Sequence, residues 1–137
     1  VRTFASVAKN LSMDHVLIVH GFDGLDEITI TDSTYVAELK DNTISEYEIS
    51  PKDFGLSLGT LSEISAASPD DSLQLIREAF SGDKSAVQDM IALNAGAALY
   101  LAKKVDSIAS GVELSFELMN NGMAADKLAS YVRVSNS

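Results

Sequence analysis

The sequence predicts an α/β domain: a helix-flanked mixed sheet, with strands in the first half of the chain and helices in the second. Three observations carry this expectation. Residues 16–19, Val-Leu-Ile-Val, are a continuous apolar run, the pattern of a strand covered on both faces as in parallel sheets. Residues 34–39 and 43–49 flank Asp41-Asn42 as the arms of a hairpin would. From Ser68 onward, helix-start signals and apolar positions three or four apart take over.

The chain has 137 residues, of which 46% are hydrophobic, and one domain is expected at that length. It has no Cys, which excludes disulfides, thiolate zinc sites and a Cys nucleophile. A formal charge of −10 argues against nucleic acid or an anionic membrane as partner, since both are polyanions. The longest nearly apolar stretch, Met90 to Ala102, is short of the ~20 residues a bilayer span needs. No charged-then-apolar leader opens the chain, so a cytoplasmic location is expected.

The opening residues repeat apolar positions at 1, 4, 7, 8 and 11, a helical period. The pattern starts without Met, cap or preceding turn, which points to a piece of a longer chain or a start set by processing. After the 16–19 strand comes the loop 20–27, His-Gly-Phe-Asp-Gly-Leu-Asp-Glu, and Ile28-Thr-Ile30 follows as a short strand candidate. Tyr35, Ala37 and Leu39 alternate with Val36 and Glu38, so this strand reads as half-buried. Residues 50–68 are irregular. Ser68-Pro-Asp-Asp71 then marks a helix start, with Leu73, Ile76 and Phe80 on one face and Gly82 at the end. Ser85 and Gln88 have capping-box spacing before a long helix expected to reach about Val105. Asp106 is the expected cap of the next helix, whose stripe is Ile108, Val112, Phe116 and Met119 and whose end is Gly122. Leu128, Tyr131 and Val132 suggest a last short helix. The 16–19 strand has few neighbours available within the chain, which again suits a piece of a longer one.

The richest candidate for chemistry is Asp23-Gly-Leu-Asp26-Glu27, directly after the apolar strand. Ligands of open α/β sheets bind outside the carboxyl ends of strands. Crowded carboxylates repel unless water or a cation intervenes. Mg2+ uses one or two carboxylates, with waters and substrate phosphates completing its shell. On the residues alone, an acidic solvated turn explains the same letters. His20, beside the acids, could be a base or ligand, although a lone His more often serves structure. Asn94 inside the apolar helix reads as a satisfied buried amide. Gly96 among alanines marks close packing. No hydrolase triad, Walker loop or GxGxxG is present.

Four ordered stretches carry a resemblance. These are Val19-His-Gly-Phe-Asp-Gly-Leu-Asp-Glu-Ile28, Thr34-Tyr-Val-Ala-Glu-Leu39, Ser50-Pro-Lys-Asp-Phe-Gly-Leu56 and Leu93-Asn-Ala-Gly-Ala-Ala-Leu-Tyr100, with Ile108-Ala-Ser-Gly-Val112 continuing in register. Together they resemble the anthranilate phosphoribosyltransferases over essentially the whole chain. The resemblance implies a nucleoside phosphorylase/phosphoribosyltransferase-like C-terminal domain. It also implies Mg2+-dependent transfer of phosphoribosyl from phosphoribosyl pyrophosphate to anthranilate, in tryptophan biosynthesis. It assigns the metal to Asp26 and Glu27, and no catalytic residue to this region. Residues 1–137 would be the C-terminal α/β portion. The N-terminal helical domain, its usual dimer contact, the Gly-rich phosphate loop and the anthranilate-contacting residues of the family have no counterpart here, so the isolated chain is expected to be inactive.

This chain departs from the family at several places. Asp32-Ser33-Thr34 stands for a usual Gly-Pro-Thr, which puts another carboxylate near the metal region. Residues 65–72 replace a Gly-Gly-Asp and Glu-Asn-Ala run, and Gln88-Asp89 stands for Arg-Asp. A related pyrimidine nucleoside phosphorylase and a non-catalytic homologue or interaction module are the alternative readings.

Overall fold

The computed structural model describes residues 1–136. It begins with helix α1 (Arg2–Asn10), followed by strands β1 (His15–Gly21), β2 (Thr34–Lys40) and β3 (Thr43–Ile49). A 3-10 turn (Pro51–Phe54) and a short helix α2 (Leu61–Ile64) lead to α3 (Pro69–Phe80), α4 (Ala86–Leu101), α5 (Ile108–Asn120) and α6 (Met123–Ser135). After α1, the strands precede the remaining helices, as expected.

The sheet runs β1-β2-β3, antiparallel throughout, so the part of the sheet present among the described residues is not mixed. The expected burial of its strands is inverted. The apolar run of β1 lies at an edge and is only half-buried. Central β2 is covered on both faces: Val36, Ala37 and Leu39 are fully buried and Glu38 nearly so. Position in the sheet, which composition does not encode, sets this. The β2–β3 hairpin turns at Asp41 and Asn42, both at positive φ (49° and 59°). That is the signature of a type I′ turn, whose twist matches the flanking strands.

Register assigns the faces. Leu17, Val19, Val36, Glu38, Tyr47 and Ile49 share one face. Leu17, Val19 and Ile49 pack there against a core of Ile28, Ile30, Ala92, Leu93, Ala97, Val112 and Met119. The opposite face meets α1 through the buried Ala5 and Ala8. Of the apolar positions that gave this helix its period, Ala8 is buried, whereas Phe4, Val7 and Leu11 are exposed.

Most helix boundaries match the sequence reading. Ser68 caps α3, its side chain accepting the Asp71 N–H at 3.1 Å, and Gly82 follows the helix at φ 91°. α4 stops at Leu101 rather than near Val105, because Lys103 adopts φ 55°. The cap of α5 is Ser107, not Asp106: its Oγ accepts the Ser110 N–H at 3.1 Å. Ser85 caps α4, but Gln88 does not reciprocate. Its amide points inward and donates to the Ala79 carbonyl at 3.0 Å and to Asn120 Oδ1 at 3.3 Å. The irregular stretch hides two capping-box pairs, in which Asp53 accepts the Ser50 N–H and Glu63 the Thr60 N–H, each at 2.7 Å. No helix among the described residues is long and apolar enough to cross a membrane.

Candidate functional site

The acidic loop leaves β1 at Gly21 and is organised from within by Asp23. One Asp23 oxygen accepts the Leu25 N–H at 3.1 Å; the other accepts the hydroxyls of Thr29, at 2.5 Å, and of Thr31. Burial pushes the Asp23 carboxyl up, but these hydrogen bonds outweigh it, so its pKa lies below the ordinary value. Asp23 is thereby committed to the loop. Gly21 is required by the same arrangement. A Cβ there would collide with Asp23 Oδ1 and press on Thr29 Cγ2 at 3.1 Å. The Gly21 N–H also closes the loop onto the Leu25 carbonyl at 2.8 Å.

Residues 28–30, expected as a strand, are buried irregular chain. Four of their backbone groups pair with side chains and a loop instead of a ladder. Asn94 of α4 accepts the Ile28 N–H at 3.0 Å and returns its amide N–H to the Ile28 carbonyl at 2.8 Å. Thr34 Oγ1 accepts the Thr29 N–H at 3.0 Å, and the Ile30 carbonyl accepts the Gly59 N–H at 3.0 Å. Asn94 is thus a satisfied amide, as read from the sequence, and it reaches the acidic loop.

Between these anchors stand Asp26 and Glu27. Both are exposed, and neither has a hydrogen bond or ion pair among the described residues. Beside Glu27, a groove of about 330 Å³ runs along α4, lined by Ile64, Val87, Met90 and Asn94 among others. The remaining candidates do not join them. His20 is exposed, and its side chain has no hydrogen-bond partner among the described residues. Asp32 turns back to accept the Ser33 N–H at 2.7 Å. No group of three or more His, Asp or Glu among the described residues is placed to hold a metal unaided.

A second polar cluster, unforeseen from the sequence, sits at the opposite end of the strands. Glu38 accepts from His15 Nε2 and the Tyr100 hydroxyl, each at 2.8 Å, and from the Tyr47 hydroxyl at 2.9 Å. Lys40 donates to the Tyr100 hydroxyl at 2.9 Å, and the His15 ring meets Tyr100 edge-on at 4.9 Å. Burial raises the Glu38 carboxyl, but its hydrogen bonds from His15, Tyr100 and Tyr47 bring it below the usual range. The only available signal was an acid inside an otherwise apolar strand. The cluster ties β1, β2, β3 and α4 together at the end of the sheet away from the acidic loop.

Residues 1–125 match the glycosyl transferase family, a/b domain. The chain belongs to this family. It is 44% identical over 135 residues to the anthranilate phosphoribosyltransferase of Vesicomyosocius okutanii, covering 98% of this chain and 40% of that protein. To the anthranilate phosphoribosyltransferase of Halorhodospira halophila it is 46% identical over 132 residues, covering 96% and 39%. The crystal structure of anthranilate phosphoribosyltransferase from Thermus thermophilus superposes with a TM-score of 0.86 at 30% identity, over 97% of this chain and 39% of that one. The Saccharomyces cerevisiae enzyme in complex with PRPP and Mg shares the fold, with a TM-score of 0.83 at 24% identity over 98% and 39%. This glycosyl transferase family chain therefore spans about 40% of the length of the curated relatives it matches.

Proposed function

We propose that residues 1–137 are the C-terminal α/β portion of an anthranilate phosphoribosyltransferase. The whole protein would move phosphoribosyl from phosphoribosyl pyrophosphate to anthranilate in tryptophan biosynthesis, in the cytoplasm. An N-terminal helical domain would supply its homodimer contact, and a Gly-rich loop outside this chain would supply its phosphate cradle. The observation that carries the proposal is the state of Asp26 and Glu27. They are adjacent carboxylates, exposed and without partners among the described residues, on a loop whose neighbouring residues are tied down on both sides.

This donor set fits Mg2+. The ion favours hard oxygen ligands, takes few from protein, and leaves room for water and ligand phosphates. Two free carboxylates, with no group of three metal-ligating side chains among the described residues, suit that habit better than they suit Zn2+. Bound there, the ion would offset charge developing on the departing pyrophosphate. The chain's own part is to hold two like charges side by side. Asp23 takes no part in coordination, because its oxygens are occupied by Leu25, Thr29 and Thr31. Substrate contacts beyond the metal fall to residues outside this chain, so the isolated chain does not turn over.

Calorimetric titration with Mg2+ and inorganic pyrophosphate tests the metal role. The wild-type chain should bind the pair, and an Asp26→Asn/Glu27→Gln double variant should not. Equal heats from both would remove the assignment. An assay of the pure chain with donor, anthranilate and Mg2+ should show no product; turnover would overturn the inactivity.

A further inference from the structure

We infer that Asn94 is a positioning residue for the metal loop: by gripping both backbone groups of Ile28, it sets where Asp26 and Glu27 stand. This rests on the metal-binding reading of those two acids. The grip has the form of a bridge between paired strands, with one residue's N–H and carbonyl both engaged, here by a single side chain. A third bond, from Asn94 Nδ2 to the Met90 carbonyl at 3.0 Å, ties the amide to its own helix. The amide orientation follows from these partners, since reversing it would set donor against donor at Ile28. Both amide hydrogens are spent, so Asn94 has no donor left for a ligand and acts through Ile28.

The loop on the other side is held at Leu25, whose N–H goes to Asp23 and whose carbonyl accepts from Gly21. Only Asp26 and Glu27 lie between the two anchored residues. Adjacent carboxylates repel, and a freely moving loop would relax by splaying them. A span of two residues held at both ends has little freedom to do so. The helix that carries Asn94 is itself seated by backbone contact with α5 at Gly96, two residues further on. The placement of the acids is thus transmitted from the helical layer, a residue hydrogen-bonded to neither acid's carboxylate deciding their posture. Outer-sphere partners of metal ligands act this way, and losing one typically weakens metal binding ~10–100-fold.

The test uses the isotope-labelled chain, with Mn2+ and inorganic pyrophosphate as probe and amide signals as readout. In Asn94→Ala, the Ile28 amide should exchange at least about tenfold faster, while amides of Ala92 and Ala97 keep their protection. Paramagnetic broadening at Asp26 and Glu27 should need about tenfold more Mn2+ than in wild type. Asn94→Gln keeps the amide but displaces it by a methylene; it should show the same two effects and serves as the readout if the alanine variant does not fold. Faster Ile28 exchange with unchanged Mn2+ response would overturn the positioning role and leave the metal reading standing. Broadening absent from wild type itself would sink the metal reading and, with it, this role.

Discussion

Gly96 and Gly111 place the backbones of α4 and α5 in direct contact. A Cβ on Gly96 would lie 2.6 Å from the Val112 nitrogen, and one on Gly111 would overlap the Gly96 carbonyl. Neither neighbour is a flexible side chain that could yield. Gly96→Ala and Gly111→Ala should therefore each lower stability by about 3 kcal/mol, despite the gain in helix propensity. Chemical denaturation of each variant reads this directly. A loss below about 0.5 kcal/mol would show that the helices can part without cost.

Glu38 should support stability at neutral pH and withdraw that support in acid. Its folded pKa lies below the ordinary 4.5, so the contribution is complete above that value and is lost as pH falls through the folded one. Glu38→Gln should cost about 1–2 kcal/mol at pH 7 and flatten the acid limb of the stability curve. Denaturation midpoints between about pH 3 and 7 provide the measurement; parallel acid limbs would contradict it.

Asp89 has the opposite sign. It is 6% exposed, its Oδ1 lacks a hydrogen-bond partner among the described residues, and burial pushes its carboxyl upward, with Lys84 offering partial relief. Its protonated form is favoured by folding, so stability falls as pH rises from the ordinary 3.8 through the raised folded pKa. Asp89→Asn, which cannot ionise, should lack this decline. A variant whose stability still falls with wild-type slope over that window would exclude Asp89 as its source.

The cap of α5 distinguishes two neighbouring residues. Ser107→Ala should cost about 1 kcal/mol, since the Ser110 N–H loses its acceptor. Asp106→Ala should cost less than about 0.5 kcal/mol, because Asp106 makes no capping bond. Thermal melts of both variants settle the order, and a larger loss at Asp106 would restore the assignment suggested by sequence spacing.

Local chemistry was legible from the letters alone: the hairpin turn at Asp41-Asn42, the Ser68 cap with Pro69 behind it, the α5 stripe, the close-packed Gly96, and the acidic loop following an apolar strand. Each depends on residues within a few positions of one another. Tertiary structure decided which strand is central and which acid is free. Burial of β2 rather than β1 depends on neighbours brought from elsewhere in the chain. Asp23, Asp26, Glu27 and Asp32 are chemically alike in the sequence. The Leu25 N–H and the hydroxyls of Thr29 and Thr31 commit Asp23 to the loop, Asn94 anchors Ile28 beyond it, and Asp26 and Glu27 are left facing solvent. A carboxylate's task follows from which donors reach it, and for partners 66 positions apart in the chain, as Ile28 and Asn94 are, folding alone determines that.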